Sequence, residues 1–224
     1  MHPLTEYPRP AMRRDSYENL NGLWQYAITA SAQRPAGWDG EILVPYAPEC
    51  RASGVGRTLQ PGQWLHYHRY FAPPAGTGGR VLLHFGAVDY DARVWINGVE
   101  AGRHQGGYVS FTFDITKLVK EGENDITLFA ADDVRSGKQP KGKQSHFFYS
   151  RGCDYTRTTG IWQTVWLEWV PESCIEKVQY YPNLAEATLG IKAVVKGQGT
   201  LEAKAFYGGE PCGSVSAKSE GGTV

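Results

Sequence analysis

The run Ala92-Arg93-Val94-Trp95-Ile96-Asn97-Gly98-Val99-Glu100-Ala101-Gly102 constrains this chain most. Apolar stretches flank an Asn-Gly pair, and both residues of a type I′ turn need positive φ, so the run predicts a tight β-hairpin. Similar short runs recur. Asn21-Gly22-Leu23-Trp24-Gln25-Tyr26 opens a strand, and Leu65, Tyr67, Arg69 and Phe71 alternate with Trp64, His66, His68 and Tyr70. Val81-Leu82-Leu83-His84-Phe85 is almost continuously apolar, which predicts a central strand. Val109, Phe111, Phe113 and Ile115 alternate with Ser110, Thr112 and Asp114, and residues 114–119 suit one helical turn. Glu121-Gly122-Glu123-Asn124 then leads into Ile126-Thr127-Leu128-Phe129-Ala130. Short strands with turn signals and no sustained helical period predict an all-β sandwich or jelly roll.

Bulk properties agree with that class. The 27 Gly and 13 Pro favour turns over long helices. Aromatic residues make up 12% of the chain, enough to furnish a core although hydrophobic content is only 41%. The formal net charge is zero, so no global field draws the chain to nucleic acid or an anionic membrane. No segment approaches the roughly 20 apolar residues of a membrane span. Met1 to Pro8 lacks the basic start and apolar run of a signal peptide. Pro3, Pro8 and Pro10 make residues 1–20 a lead-in arm without a helix. Cys50, Cys153, Cys174 and Cys212 fit neither a metal knuckle nor a small disulfide scaffold, so reduced thiols in a cytoplasmic protein are expected.

A boundary falls at Val170-Pro171-Glu172, giving domains 1–171 and 172–224. Ile175 to Tyr181, Thr188 to Val195 and Thr200 to Phe206 read as strands, followed by a polar tail from Ser219. An immunoglobulin-like sandwich needs about seven strands, so the second domain is expected to be partial.

The stretch from Cys153 to Glu168 begins as a polar loop carrying one carboxylate, Asp154. It continues as an alternating strand, with Ile161, Gln163, Val165 and Leu167 on one face and Trp162, Thr164, Trp166 and Glu168 on the other. A polar loop feeding an aromatic-rich strand places a functional side chain at the rim of a sandwich.

Several pieces of this sequence, in this order, resemble the family 2 glycoside hydrolases, the β-galactosidase and β-glucuronidase family. They are Leu20-Asn21-Gly22-Leu23-Trp24, Ile42 to Glu49, Tyr67-His68-Arg69-Tyr70-Phe71 and Phe85 to Tyr90. Val94-Trp95-Ile96-Asn97-Gly98, Gly102, Gly106-Gly107-Tyr108, Phe113 to Thr116, Gly122-Glu123-Asn124 and Gly160-Ile161-Trp162 complete the set. His66 departs from the aromatic residue expected at its position.

The resemblance implies a sugar-binding, galactose-binding-like jelly roll over residues 1–171. The start of an immunoglobulin-like sandwich would follow over 172–224, with the catalytic TIM barrel absent. Glycoside hydrolysis uses two carboxyl groups about 5 to 9.5 Å apart. In the family both are glutamates of the barrel, the acid preceded by asparagine, and no Asn-Glu pair occurs here. A barrel takes roughly 250 residues, more than remain after the first domain. This chain alone is therefore expected to be inactive. It would form one wall of an active site acting on a β-glycoside, with the barrel domain as its partner.

The spacing of Asp154 to Gly160-Ile161 matches the family position whose carboxylate contacts sugar hydroxyls. Carboxylates suit that task because they accept charge-assisted hydrogen bonds from neighbouring hydroxyls. The alternative is an aspartate capping its own loop. Tyr155 and Arg157 in the same loop either line the pocket or support it. Tyr46 and Glu49 follow Val44-Pro45 in a loop that runs near the same pocket in the family; Glu49 has the chemistry to accept a hydroxyl there, but a solvated loop carboxylate is the favoured reading.

Other features read blandly. His66 and His68 share a strand face but lack the third ligand a metal site needs. Lys138, Lys141 and Lys143 suit a mobile solvated loop or interdomain docking, and His146-Phe147-Phe148-Tyr149 is apolar enough to meet the barrel or a neighbouring subunit. The glycines at 76–79 and 106–107 follow no phosphate-loop pattern and read as turns. No cofactor or metal is expected. Two alternatives stay open: a freestanding carbohydrate-binding module with Trp38 and Trp64 as its platform, and a structural domain for homo-oligomer formation.

Overall fold

The computed structural model describes residues 2–73, 79–147 and 149–224. The turn at residues 76–78 and Phe148 lie outside the described residues.

The first unit contains β1 (Tyr17–Asn19), β2 (Gly22–Thr29), β3 (Gly40–Val44), β4 (Trp64–Phe71), β5 (Arg80–Phe85) and β6 (Val88–Asp89). It continues with β7 (Asp91–Ile96), β8 (Val99–Gln105), β9 (Phe111–Asp114), β10 (Asn124–Ala131), β11 (Gly160–Ile161) and β12 (Val165–Val170). Two antiparallel sheets result. One has the order β1-β12-β5-β9, the other β3-β2-β4-β10-β7-β8, and β11 pairs with β6 beside them. This is a galactose-binding-like β-sandwich.

Alternation drives the packing. In β4, Leu65, Tyr67 and Phe71 enter the core, where they meet Trp24 of β2, Leu83 and Phe85 of β5, and Val165 and Leu167 of β12. Burying each such side chain stabilises the fold by about 1.5–3 kcal/mol. The hairpin forms at β7–β8 as expected, with Asn97 at φ +52° and Gly98 at φ +80°. Asn97 Nδ2 also donates to Leu118 O (2.9 Å) and to Asn124 Oδ1 (2.8 Å), tying the turn to the next loop. The single helical turn at 115–119 is present, with Leu118 and Val119 N–H both donating to Ile115 O.

Several expectations need correction. The strand from Ile161 to Glu168 is not continuous: β11 and β12 are separated at 162–164, where the Trp162 indole N–H turns to Gly107 O at 2.7 Å. Every residue of β12 is buried, because one face meets the core and the other lies under the N-terminal arm. That arm is more than a lead-in. Its β1 pairs with β12, and Tyr7, Arg9 and Arg14 converge on the buried Glu168.

The region 172–224 forms β13 (Cys174–Asn183), β14 (Thr188–Lys196), β15 (Gly199–Tyr207), β16 (Glu210–Ser219) and β17 (Gly222–Thr223). β13, β14 and β17 make one sheet, and β15 pairs with β16. β16 was not expected, since Pro211 and Gly213 obscure its pattern, and the polar tail contributes β17. Tyr181, Leu184, Phe206, Tyr207 and Val215 are exposed, so these strands enclose little core of their own. Among the described residues no helix is long and apolar enough to cross a membrane.

Candidate functional site

The loop between β10 and β11, residues 132–159, carries most of the sequence-predicted site. Arg151 and Asp154 exchange backbone hydrogen bonds (3.1 and 3.0 Å), closing a tight turn with Asp154 at its end. The Tyr155 N–H then donates to Lys143 O (2.7 Å) and Ser145 N–H to Tyr155 O (2.9 Å). The segments 141–145 and 154–158 are thereby laced side by side.

Asp154 reaches solvent, with its side chain 36% exposed, and Oδ1 accepts a bond from Lys141 Nζ at 3.3 Å. Tyr155 is exposed, with the Lys143 ammonium 5.8 Å from its ring centre. Lys141 and Lys143 are thus engaged within the loop rather than freely solvated.

Arg157 and Glu49 turn inward. Arg157 is buried, donates to Leu59 O (3.1 Å) and Asp132 O (2.9 Å), and lies 3.5 Å from Asp132 Oδ2. It clamps the base of the loop to the segment before β4 instead of lining an open surface. Glu49 is not a solvated carboxylate. Its Oε2 accepts the Thr159 N–H at 3.1 Å and its Oε1 is buried. Tyr46 lines a different feature, a cleft of about 720 Å³ that includes Tyr7, Arg9, Thr112, Trp162 and Trp166 but no residue of 132–159.

Three inward-facing carboxyl groups, those of Glu49, Asp89 and Asp132, lie at the base of the loop; Asp132 is the one paired with the Arg157 guanidinium, and Asp89 and Asp132 were not singled out from the sequence. Asp89 is buried, and its Oδ2 accepts Gln144 Nε2 at 2.7 Å. Asp132 accepts Gln139 Nε2 at 2.7 Å beside Arg157. Burial pushes Glu49 up to about 7. Burial, then the neighbouring charge of Asp132, pushes Asp89 up to about 7. Asp132 is also raised by burial, against the pull of Arg157. Gly107 makes room for Asp89, since a Cβ there would lie 2.7 Å from Asp89 Oδ2. The one visible signal was an aspartate within the apolar run Ala87-Val88-Asp89; its partner lies 55 positions away.

The other singled-out residues are structural. His66 contacts Thr29 Oγ1 and Ser31 O, both at 3.0 Å. His68 bridges Gln25 Oε1 (2.7 Å) and Asp125 Oδ2 (2.5 Å). Trp38 stacks on His68 with ring centres 5.1 Å apart, and Trp64 meets Phe129 edge-on at 5.2 Å. Neither Trp ring is an unencumbered platform. Among the described residues no group of His, Cys, Asp and Glu has metal-binding geometry.

Residues 57–174 match the family described as glycosyl hydrolase 2 galactose-binding domain-like. The chain belongs to that family. Among its curated relatives, feline β-glucuronidase is 29% identical over 219 residues, covering 81% of this chain and 33% of the relative. A putative β-glucuronidase of Formosa agariphila is 32% identical over 205 residues, covering 84% of this chain and 23% of the relative. The chain spans about a third or less of the length of these relatives. Among solved structures, a β-glucuronidase of an uncultured Clostridium aligns with TM-score 0.69 at 18% identity, covering 98% of this chain and 40% of that one. A Ruminococcus gnavus β-glucuronidase aligns with TM-score 0.71 at 17% identity, covering 97% and 40%. At these identities the likeness establishes the fold.

Proposed function

We propose that this chain is the non-catalytic sugar-binding portion of a family 2 β-glycosidase, and that Asp154 forms part of its active-site wall. In this reading residues 1–171 are the jelly-roll domain and 172–224 the start of an immunoglobulin-like domain. The catalytic carboxyl pair belongs to a barrel outside this chain. The names of the relatives favour a β-glucuronide substrate over a β-galactoside. Four unpaired cysteines, three of them exposed, favour a reducing cytoplasm.

One observation carries the reading: Asp154 stands at the rim of a tightly laced loop while Glu49, Asp89 and Asp132 are turned inward. A capping aspartate would spend its side chain on its own turn. Here the turn closes through backbone groups, and the carboxylate is left to Lys141 and solvent.

The test is kinetic, in the natural protein that contains this chain, on aryl β-D-glucuronide and β-D-galactoside substrates. Replacing Asp154 by Ala is expected to weaken transition-state binding by about 1.5–3 kcal/mol, the range for hydrogen bonds to charged groups. Unchanged kcat/KM on every hydrolysed substrate would remove Asp154 from the site.

A further inference from the structure

Lys141 spans the two laced segments. Its Nζ donates to Gln144 O at 2.7 Å and to Asp154 Oδ1 at 3.3 Å, with the side chain only 23% exposed. Gln144 in turn spends both ends of its amide on the interior. Nε2 donates to Asp89 Oδ2 at 2.7 Å, and Oε1 accepts the Thr158 N–H at 2.8 Å. A continuous chain of hydrogen bonds therefore runs from buried Asp89 through Gln144 and Lys141 to the exposed carboxylate.

Two glycines let this chain close. Gly107 leaves the space that the Asp89 carboxyl occupies, and Gly142, at φ +57°, leaves space for the Tyr108 hydroxyl. Tyr108 packs edge-on against Trp162 at 5.9 Å, so the 141–145 segment is seated on the start of the β11–β12 connection. Such support matters because a single exposed carboxylate otherwise samples several rotamers. Holding it in one geometry removes an entropy cost that ligand binding would have to meet.

We propose that Lys141 is the positioning residue for Asp154, occupying Oδ1 so that Oδ2 is presented to a sugar hydroxyl, with Gln144 and Asp89 holding Lys141's segment in place. This rests on the reading of Asp154 as a sugar contact. It adds a specificity rule. With Oδ1 turned to the ammonium, Oδ2 is the less encumbered oxygen, and it accepts from a hydroxyl while the carboxylate's own charge disfavours an anionic group of the ligand. The carboxylate of a uronic acid must then lie away from Asp154, with its ring hydroxyls towards it.

A double-mutant cycle in the full-length protein tests this. Lys141→Met, Asp154→Asn and the double variant are compared by kcat/KM on the preferred substrate, with thermal unfolding as a control. Lys141→Met is expected to lower kcat/KM about 10-fold at an unchanged unfolding midpoint. The double variant should fall no lower than Asp154→Asn alone, because Lys141 acts through Asp154. Lys141→Arg should recover part of the loss. Additive losses, or an unaffected Lys141→Met, would overturn the assignment.

A second measurement does not depend on activity. Gln144→Ala and Lys141→Met should speed amide hydrogen exchange at Ser145, Tyr155 and Thr158 while leaving β4 and β10 protected. Unchanged exchange at those amides overturns the positioning role. If instead Asp154→Asn leaves kcat/KM intact while exchange rises as expected, the loop support stands and the sugar-contact reading is what fails.

Discussion

The carboxylate of Glu168 receives Arg14 Nε at 2.9 Å, across 154 positions of sequence. The same carboxylate accepts Tyr7 Oη at 2.5 Å and Trp166 Nε1 at 3.0 Å, and lies 3.3 Å from His84 Nε2. Arg9 and Thr112 both address His84 Nδ1 (3.1 and 2.7 Å), which assigns the proton to Nε2, facing Glu168. One buried acid thus ties the N-terminal arm to β12.

Glu168 should therefore govern stability in acid. Burial alone would raise its pKa, but His84, Tyr7 and Trp166 outweigh burial and hold it well below the usual carboxylate range. A depressed folded value stabilises above the unfolded value of 4.5 and is lost as pH falls toward the folded one. Glu168→Gln is expected to cost about 3–5 kcal/mol at neutral pH, the range for breaking a buried ion pair. It should also remove the acid slope below the unfolded carboxylate value. Denaturant unfolding at a series of pH values would show this, and parallel curves for the two proteins would refute it.

Gly160 explains its own place in the Gly160-Ile161-Trp162 motif. Its φ is +77°, and a Cβ there would run into the Tyr67 hydroxyl and lie 2.9 Å from Leu65 Cδ2. That hydroxyl accepts the Ile161 N–H at 3.1 Å, the bond that fixes β11 against the core. Gly160→Ala adds backbone strain to overpacking, and a loss of about 2–4 kcal/mol is expected. A midpoint within experimental error of the parent would show that the core yields more easily than this geometry implies.

Much of the fold was legible because its causes are local. The Asn97-Gly98 turn and the alternation of β4 each depend on residues a few positions apart, and both appear where the sequence places them. Of the candidate site residues, Asp154 and Tyr155 face solvent, Arg157 takes the supporting role that the sequence left open, and Glu49, which reads in the sequence as a solvated carboxylate, is turned inward. Orientation depends on partners distant in sequence: Arg157 meets Leu59 across 98 positions, and Glu49 meets Thr159 across 110. In the sequence Glu168 shares the second face of an alternating strand with Trp162, Thr164 and Trp166; its burial was not legible because Arg14, in the arm that covers it, lies 154 positions earlier.

The apolar rim beside Asp154 should be covered in the natural protein. Phe147 and Tyr149 are 45% and 59% exposed and stack on one another at 5.6 Å, with Arg151 5.1 Å from the Phe147 ring centre. Large exposed aromatics grouped in this way mark contact surfaces. If the catalytic barrel docks here, Tyr149 in the full-length protein should resist nitration by tetranitromethane relative to free tyrosine. Ready nitration would leave the rim without its proposed partner.

The carboxyls under the loop should make stability fall as pH rises, opposite in sign to Glu168. Glu49 and Asp89 have unfolded values of 4.5 and 3.8 and folded values of about 7. A raised folded value in an acid means that the unfolded chain ionises first. The cost is absent below the unfolded values, grows as pH climbs to about 7 and is constant above that. Each group contributes at most about 1.4 kcal/mol per pH unit across that window. Glu49→Gln keeps an acceptor for the Thr159 N–H, and Asp89→Asn keeps one for Gln144 Nε2, while neither can ionise. Both variants should therefore gain stability over the parent at pH 7.5 and match or trail it near pH 4. Urea midpoints between these pH values decide the matter: a parent curve that stays parallel to both variants would mean that the two acids titrate alike in the folded and unfolded chain, and that burial does not raise them.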